Sequence, residues 1–182
     1  MRSHFDAEQF LPHPVELVFA FFANPENLPR LMPSWQKARI EQAHIAPPPP
    51  LPASLPRPLG TVAGNGTRLT ISFRALPLLP IRFPWDALIE DFRWNQGFCD
   101  VQERGPFAYW RHCHTVAPAV QNGLPGATVH DHVDYELPLA PLSNLPQRFL
   151  MRPQIASIFR YRHQRTAELL SLIARPQAPT PR

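Results

Sequence analysis

Gly105-Pro106-Phe107-Ala108-Tyr109-Trp110-Arg111-His112-Cys113-His114-Thr115-Val116 and Ala127-Thr128-Val129-His130-Asp131-His132-Val133-Asp134-Tyr135-Glu136-Leu137 read as the two arms of one β-hairpin. Alternate residues of a strand face the same side. Trp110, His112, His114 and Val116 therefore share one face of the first arm. Val129, Asp131, Val133, Tyr135 and Leu137 share one face of the second. Matching the apolar faces sets His114 opposite Asp131, His112 opposite Val133 and Trp110 opposite Tyr135. The reverse side then pairs Arg111 with Asp134 and Cys113 with His132, a solvent face. An inward face that mixes aromatics with two imidazoles and a carboxylate describes the wall of a cavity better than a plain core.

Working outward, residues 3 to 11 alternate as an edge strand ending at Pro12. Pro14 suits the first turn of a helix, which runs through Val15-Glu16-Leu17-Val18-Phe19-Ala20-Phe21-Phe22 until Asn24-Pro25 stops it. Glu26 to Leu31 makes a second short helix closed by Pro33, and Trp35 to Ile45 reads as a strand. Seven prolines between Pro47 and Pro58 form an extended connection that no sheet interior accepts. This 47–58 loop is a surface spacer, with a proline-recognising partner as the alternative.

Gly66 to Arg74 alternates with Leu69, Ile71 and Phe73 inward. Ile81 to Trp94 is a long strand interrupted or bent at Pro84, with Trp85, Ala87 and Ile89 on one face thereafter. After an Asn95-Gln96-Gly97 turn, Phe98 to Glu103 pairs back. Beyond a loop over Pro138 to Ser143 the period becomes helical. Ile155, Ile158, Phe159, Arg162, Thr166, Leu169, Leu170 and Ile173 recur at three- and four-residue spacing from Pro153 to Arg175. Arg160, His163, Gln164, Arg165 and Glu168 fall on the exposed side. Residues 176–182 read as a disordered tail, leaving 1–175 as a single domain.

Composition narrows the function. The net charge is +4, and seventeen of the eighteen basic residues are scattered arginines, which excludes a nucleic-acid footprint. Cys99 and Cys113 offer no metal spacing and no disulfide framework, and read as reduced. Acids in the first eight residues oppose a signal peptide. The longest apolar run, Leu17 to Ala23, is too short for a transmembrane segment. A cytoplasmic protein is expected, with no cofactor, since no phosphate-cradling or dinucleotide glycine loop is visible.

The order of elements, together with Pro14 to Phe21, Asn24-Pro25-Glu26-Asn27-Leu28, Gly105-Pro106-Phe107, Trp110-Arg111-His112-Cys113-His114, Gly126-Ala127-Thr128 with Asp131 to Tyr135, and Phe159-Arg160-Tyr161-Arg162, resembles the START/SRPBCC ligand-binding superfamily over roughly residues 3 to 174. The stretch from Pro14 to Leu28 and the Gly126-Ala127-Thr128 block with Asp131 to Tyr135 look like its cyclase/dehydrase and coenzyme-Q-binding branch, and the His-x-His strand like a bacterial branch. The resemblance implies an α+β helix-grip fold: a curved antiparallel β-sheet wrapped around a long C-terminal α-helix, with two short helices after the first strand. It further implies a hydrophobic small-molecule ligand (lipid, quinone, polyketide or aromatic) held between sheet and helix.

The expected ligand-binding wall is Phe73, Trp85, Trp110, His112, His114, Asp131, Val133, Tyr135, Phe159 and Arg162, with Arg162 within reach of a ligand carboxylate or phosphate. Binding without catalysis leads. The alternative is a cyclase or dehydratase in which His114 is the base and Asp131 orients it. His112 and His114 emerge about 6–7 Å apart on one face. With Asp131 they would make a two-His, one-carboxylate set, but no other acid or histidine is placed to complete a shell, so no metal is assigned.

Overall fold

The computed structural model describes residues 2–74, 81–138 and 151–174. Its seven strands are β1 (Ser3–Leu11), β2 (Arg39–His44), β3 (Arg68–Arg74), β4 (Arg82–Arg93), β5 (Gly97–Arg104), β6 (Tyr109–Gln121) and β7 (Leu124–Glu136). They form one antiparallel sheet in the order β1-β7-β6-β5-β4-β3-β2. Helix α1 (Val15–Ala23) follows β1, and the long α2 (Arg152–Ile173) lies at the C-terminal end. This is an α+β helix-grip arrangement.

Local chemistry accounts for the elements that frame the interior. Pro14 precedes the first helical residue of α1, and Asn24 ends the helix in an extended conformation. The Asn24 Oδ1 then accepts from the Glu26 amide at 3.0 Å, starting a 3-10 turn over Pro25–Leu31. Pro84 interrupts nothing, because it pairs only with Ser72 of β3, and β5 first meets β4 at Asp86. Near the far end of β4 a bulge with Asp91 at φ 54° turns Phe92 inward and bends the strand. A Cβ on Gly97 would lie 2.1 Å from the His114 carbonyl oxygen. Glycine there lets β5 approach β6 at the histidine pair.

The β6–β7 hairpin has the expected register, with His114 opposite Asp131, His112 opposite Val133 and Trp110 opposite Tyr135. It is longer than the alternation suggests. Pairing runs on to Gln121 and Leu124, closed by Asn122-Gly123 with both residues at positive φ, the two-residue turn that matches strand twist.

Four expectations need correction. Trp35 to Ile45 is not one strand: Ser34–Gln36 is a 3-10 turn closed by a left-handed Lys37, and β2 begins at Arg39. Arg111 stands opposite Asp134 as expected, but its guanidinium turns away from that carboxylate and reaches across β5 to Glu90 and Asp91. Cys99 and Cys113 are not reduced. They sit in direct register on β5 and β6 with Cα atoms 4.0 Å apart, and a disulfide joins them. His163 does not lie on the exposed side of α2, because it turns toward Asp131 beneath the sheet.

The expected tail over 176–182, the domain end at 175 and most of the 138–143 loop lie outside the described residues. The proline stretch is pinned to the sheet at its start, where the Thr67 hydroxyl accepts from the Ala46 amide and the Trp94 indole donates to the Pro49 carbonyl. No described helix is long and apolar enough to cross a membrane.

Among the described residues, buried side chains gather in three clusters. One joins α1 to the ends of β4–β7 and to Leu169 and Leu170 of α2; a second packs Val133 and Tyr135 on Ile155 and Phe159; a third holds Leu69, Ile71 and Ala87 of β3 and β4. A cavity separates them.

Candidate functional site

The cavity encloses about 620 Å³, within the range of about 300–1,000 Å³ that holds drug-sized ligands. Leu69, Ile71 and Phe73 reach it from β3, Trp85, Ala87 and Ile89 from β4, and Ile155, Ile158 and Phe159 from α2. The aromatic wall interlocks: Trp85 meets Trp110 edge-on at 5.0 Å between ring centres, and Phe107 lies 4.9 Å from Trp110. Arg162 lines the chamber with its guanidinium 5.2 Å from the Phe159 ring centre. Of the wall residues expected from sequence, Phe73, Trp85, Trp110, His112, His114, Phe159 and Arg162 line the chamber. Asp131, Val133 and Tyr135 face the same side of the sheet but lie buried beneath that wall.

Strand pairing assembles a compact polar group in this apolar surround. Phe98 and Asp100 on β5 stand opposite His114 and His112 on β6, and His114 stands opposite Asp131 on β7. Two histidines are therefore flanked by one carboxylate on each side. The His112 Nε2 lies 2.8 Å from the Asp131 Oδ1, and its Nδ1 lies 3.2 Å from the Asp100 Oδ2. The His114 Nδ1 is 2.7 Å from the Asp131 Oδ1, but the contact is not aligned as a hydrogen bond. Its Nε2 is 3.6 Å from the Asp100 Oδ2.

The shared carboxylates draw the rings together to 4.0 Å between centres, closer than the strand spacing alone sets. Asp131 is buried at 3% side-chain exposure, whereas Asp100 is 19% exposed and lines the chamber.

The electrostatics follow from this packing. Burial pushes both carboxyls up, but the imidazoles beside them outweigh it, with His112 foremost at Asp100 and His114 at Asp131. Both acids are held well below the ordinary carboxylate range. Burial likewise disfavours the His112 cation, yet Asp100 and then Asp131 raise its pKa. Burial raises the Tyr135 phenol. Among the described residues, Trp110 Nε1 and Gln36 Oε1, both on residues lining the chamber, lack hydrogen-bond partners.

Two members of the site escape a reading of the sequence. Asp100 could have been found by parity: with Phe98 inward, Asp100 must be inward too, and pairing Phe98 with His114 brings it to His112. His163 lies 3.9 Å from Asp131 Oδ2 through its Nε2. It falls four residues after Phe159 and three before Thr166, the spacing of one helical face.

No family model and no curated protein matches the sequence. Solved structures share the fold. The protein TTHA0849 of Thermus thermophilus is 16% identical, with a TM-score of 0.63 over 95% of this chain and 100% of its own. A START superfamily protein from Mycobacterium smegmatis is 9% identical, with a TM-score of 0.63 over 94% and 99%. Ara h 8.0201 is 12% identical, with a TM-score of 0.58 over 94% and 99%. The chain has the START-like fold common to these structures.

Proposed function

We propose that the chamber binds and carries a hydrophobic small molecule of lipid, quinone, polyketide or aromatic class, its oxygen-bearing end turned toward Asp100, His112 and His114. The observation that carries this is an apolar chamber of about 620 Å³ whose wall includes that polar group. The fold shared with a START superfamily protein supports the same reading. A shaped apolar surface supplies affinity, and a few placed polar groups set orientation. Native mass spectrometry of protein purified from its own host should reveal a retained apolar mass that is released on denaturation. An environment-sensitive apolar dye should bind the emptied protein, and Trp110→Glu should weaken it roughly tenfold or more by placing a carboxylate in the apolar wall. A chain that retains nothing and binds no such dye would contradict the reading.

A second reading rests on the Asp131 oxygen 2.7 Å from His114. Here His114 acts as base and Asp131 orients it, in a cyclase or dehydratase acting on a chamber-bound polyketide. His114→Ala separates the two. A carrier loses only an oriented contact worth about 0.5–1.5 kcal/mol. An enzyme loses roughly 10²–10⁴-fold in turnover of an aromatic polyketide substrate.

A further inference from the structure

We propose that Asp100, His112 and His114 form a binding site for a divalent first-row transition metal ion, with Asp131 as the positioning carboxylate behind both imidazoles. One ligand atom from each of the three lies within 4.8 Å of the other two. The Asp100 Oδ2 is 3.2 Å from the His112 Nδ1 and 3.6 Å from the His114 Nε2. Metal–nitrogen and metal–oxygen bonds of about 2.0–2.2 Å set the corners of a tetrahedral shell about 3.3–3.6 Å apart. The two separations from Asp100 already stand near the edge lengths of such a shell.

The two carboxylates divide the work by position. The opposite nitrogen of each ring, His112 Nε2 and His114 Nδ1, lies within 2.8 Å of the single Asp131 Oδ1. Asp131 is buried beneath the chamber wall, and Asp100 lines it. A carboxylate on the far nitrogen of a metal-bound imidazole is the usual outer partner of such a site, fixing tautomer and ring orientation; His112 Nε2 makes that hydrogen bond, and His114 Nδ1 lies in close but unaligned contact. The ring nitrogens left free by Asp131 are the ones that converge with Asp100.

Charge points the same way. One divalent ion balances the charge of Asp100 and Asp131 while both imidazoles stay neutral and offer their ring nitrogens. Two nitrogens and one carboxylate oxygen suit zinc, iron(II) or cobalt(II) better than calcium or magnesium. The remaining coordination positions open on the chamber, where an oxygen on a bound ligand would fill one. Metal binding by these donors does not depend on the carrier reading, and it excludes the acid–base one, because a coordinated His114 Nε2 holds no lone pair for a proton.

The test uses the full chain, freed of metal with chelator and titrated with cobalt(II), whose visible bands report nitrogen and oxygen coordination. One equivalent should bind and be displaced by zinc. Asp100→Asn and His114→Gln should each weaken binding by roughly 10²-fold or more, and Asp131→Asn by roughly 10–100-fold. His132→Gln, on the opposite face of the sheet, should change nothing. Circular dichroism checks the fold of each variant. Should Asp100→Asn not fold, histidine nitrogen spectra of the unmodified chain decide: zinc must shift His112 Nδ1 and His114 Nε2. No saturable binding at millimolar metal, or binding that survives substitution of the inner residues and disappears in His132→Gln, would overturn the proposal. Dye binding is measured in parallel on metal-free protein. Losing the dye alone counts against the carrier reading, and losing the metal alone counts against this one.

Discussion

Strands β6 and β7 each carry a His-x-His pair, and the two pairs live in different solvents. His112 and His114 on β6 face the chamber with 3% and 5% of their side chains exposed. His130 and His132 on β7 face outward, 42% and 41% exposed. Each pair has its carboxylate: Asp131 inside, and outside Asp6 of β1, 3.3 Å from His130 and 2.7 Å from His132. Asp131 stands between the two outward histidines in sequence yet serves the inward ones. One step of strand parity therefore decides whether the same three residue types make a hydrated surface contact or a preorganised buried group. In water such a pair is screened and loosely held. Behind an apolar wall it is fixed and strongly coupled.

Removing each carboxylate should expose that difference most sharply. Asp131→Ala leaves two buried imidazoles without their shared partner and should cost about 3–5 kcal/mol of stability. Asp6→Ala should cost about 1 kcal/mol or less. Urea denaturation of the two variants checks the ratio; equal losses would erase the contrast.

The disulfide offers an intermediate effect. Cys113 lies between His112 and His114 in sequence but joins Cys99 on the outer face, closing a loop with a sequence separation of 14. Cys113→Ser should lower stability by about 3 kcal/mol under non-reducing conditions. The variant and the unmodified chain should converge once reductant is added. A variant as stable as the oxidised chain would show that the strands need no tie to hold the inner group.

The smallest effect belongs to the outer pair. The His132 hydrogen bond holds the Asp6 carboxyl below its ordinary value, and Asp6 in turn raises His132. The Asp6 contribution is present above about pH 3.8, its unfolded value, and is lost as pH falls through the lowered folded one. The His132 contribution is present below about pH 6.5 and is lost as pH rises through its raised folded value. The contact therefore stabilises most between those limits. Since His4, His130 and Asp134 share the same wet surface, the amount should stay within about 1 kcal/mol. Comparing stability against pH for the unmodified chain and His132→Gln should show a shallow difference confined to that window.

Much of this contrast is legible in the alternation itself. The β6–β7 register, the apolar inner face and the amphipathic α2 follow from period-2 and period-3.6 patterns. Residues whose roles depend on a second element are harder to read. Asp100 gains its meaning only when β5 is aligned with β6, across a loop at 105–108 that hides the register. His163 requires the rotation of α2 over β7, and the ring of charged neighbours on that helix suggests solvent. The cysteines look inert because spacing along the chain says nothing about two strands that place them side by side. Alternation puts Val133 and Tyr135 on the right face, but pattern cannot show how deep into a wall a residue sits, and α2 covers both.

The most direct measurement follows all four histidines at once by side-chain nitrogen NMR while an apolar dye is titrated into the metal-free protein. Signals of His112 and His114 should shift saturably with dye concentration, and those of His130 and His132 should hold still. Shifts confined to the outer pair, or absent from all four while the dye binds, would contradict a ligand chamber bounded by the inner histidines.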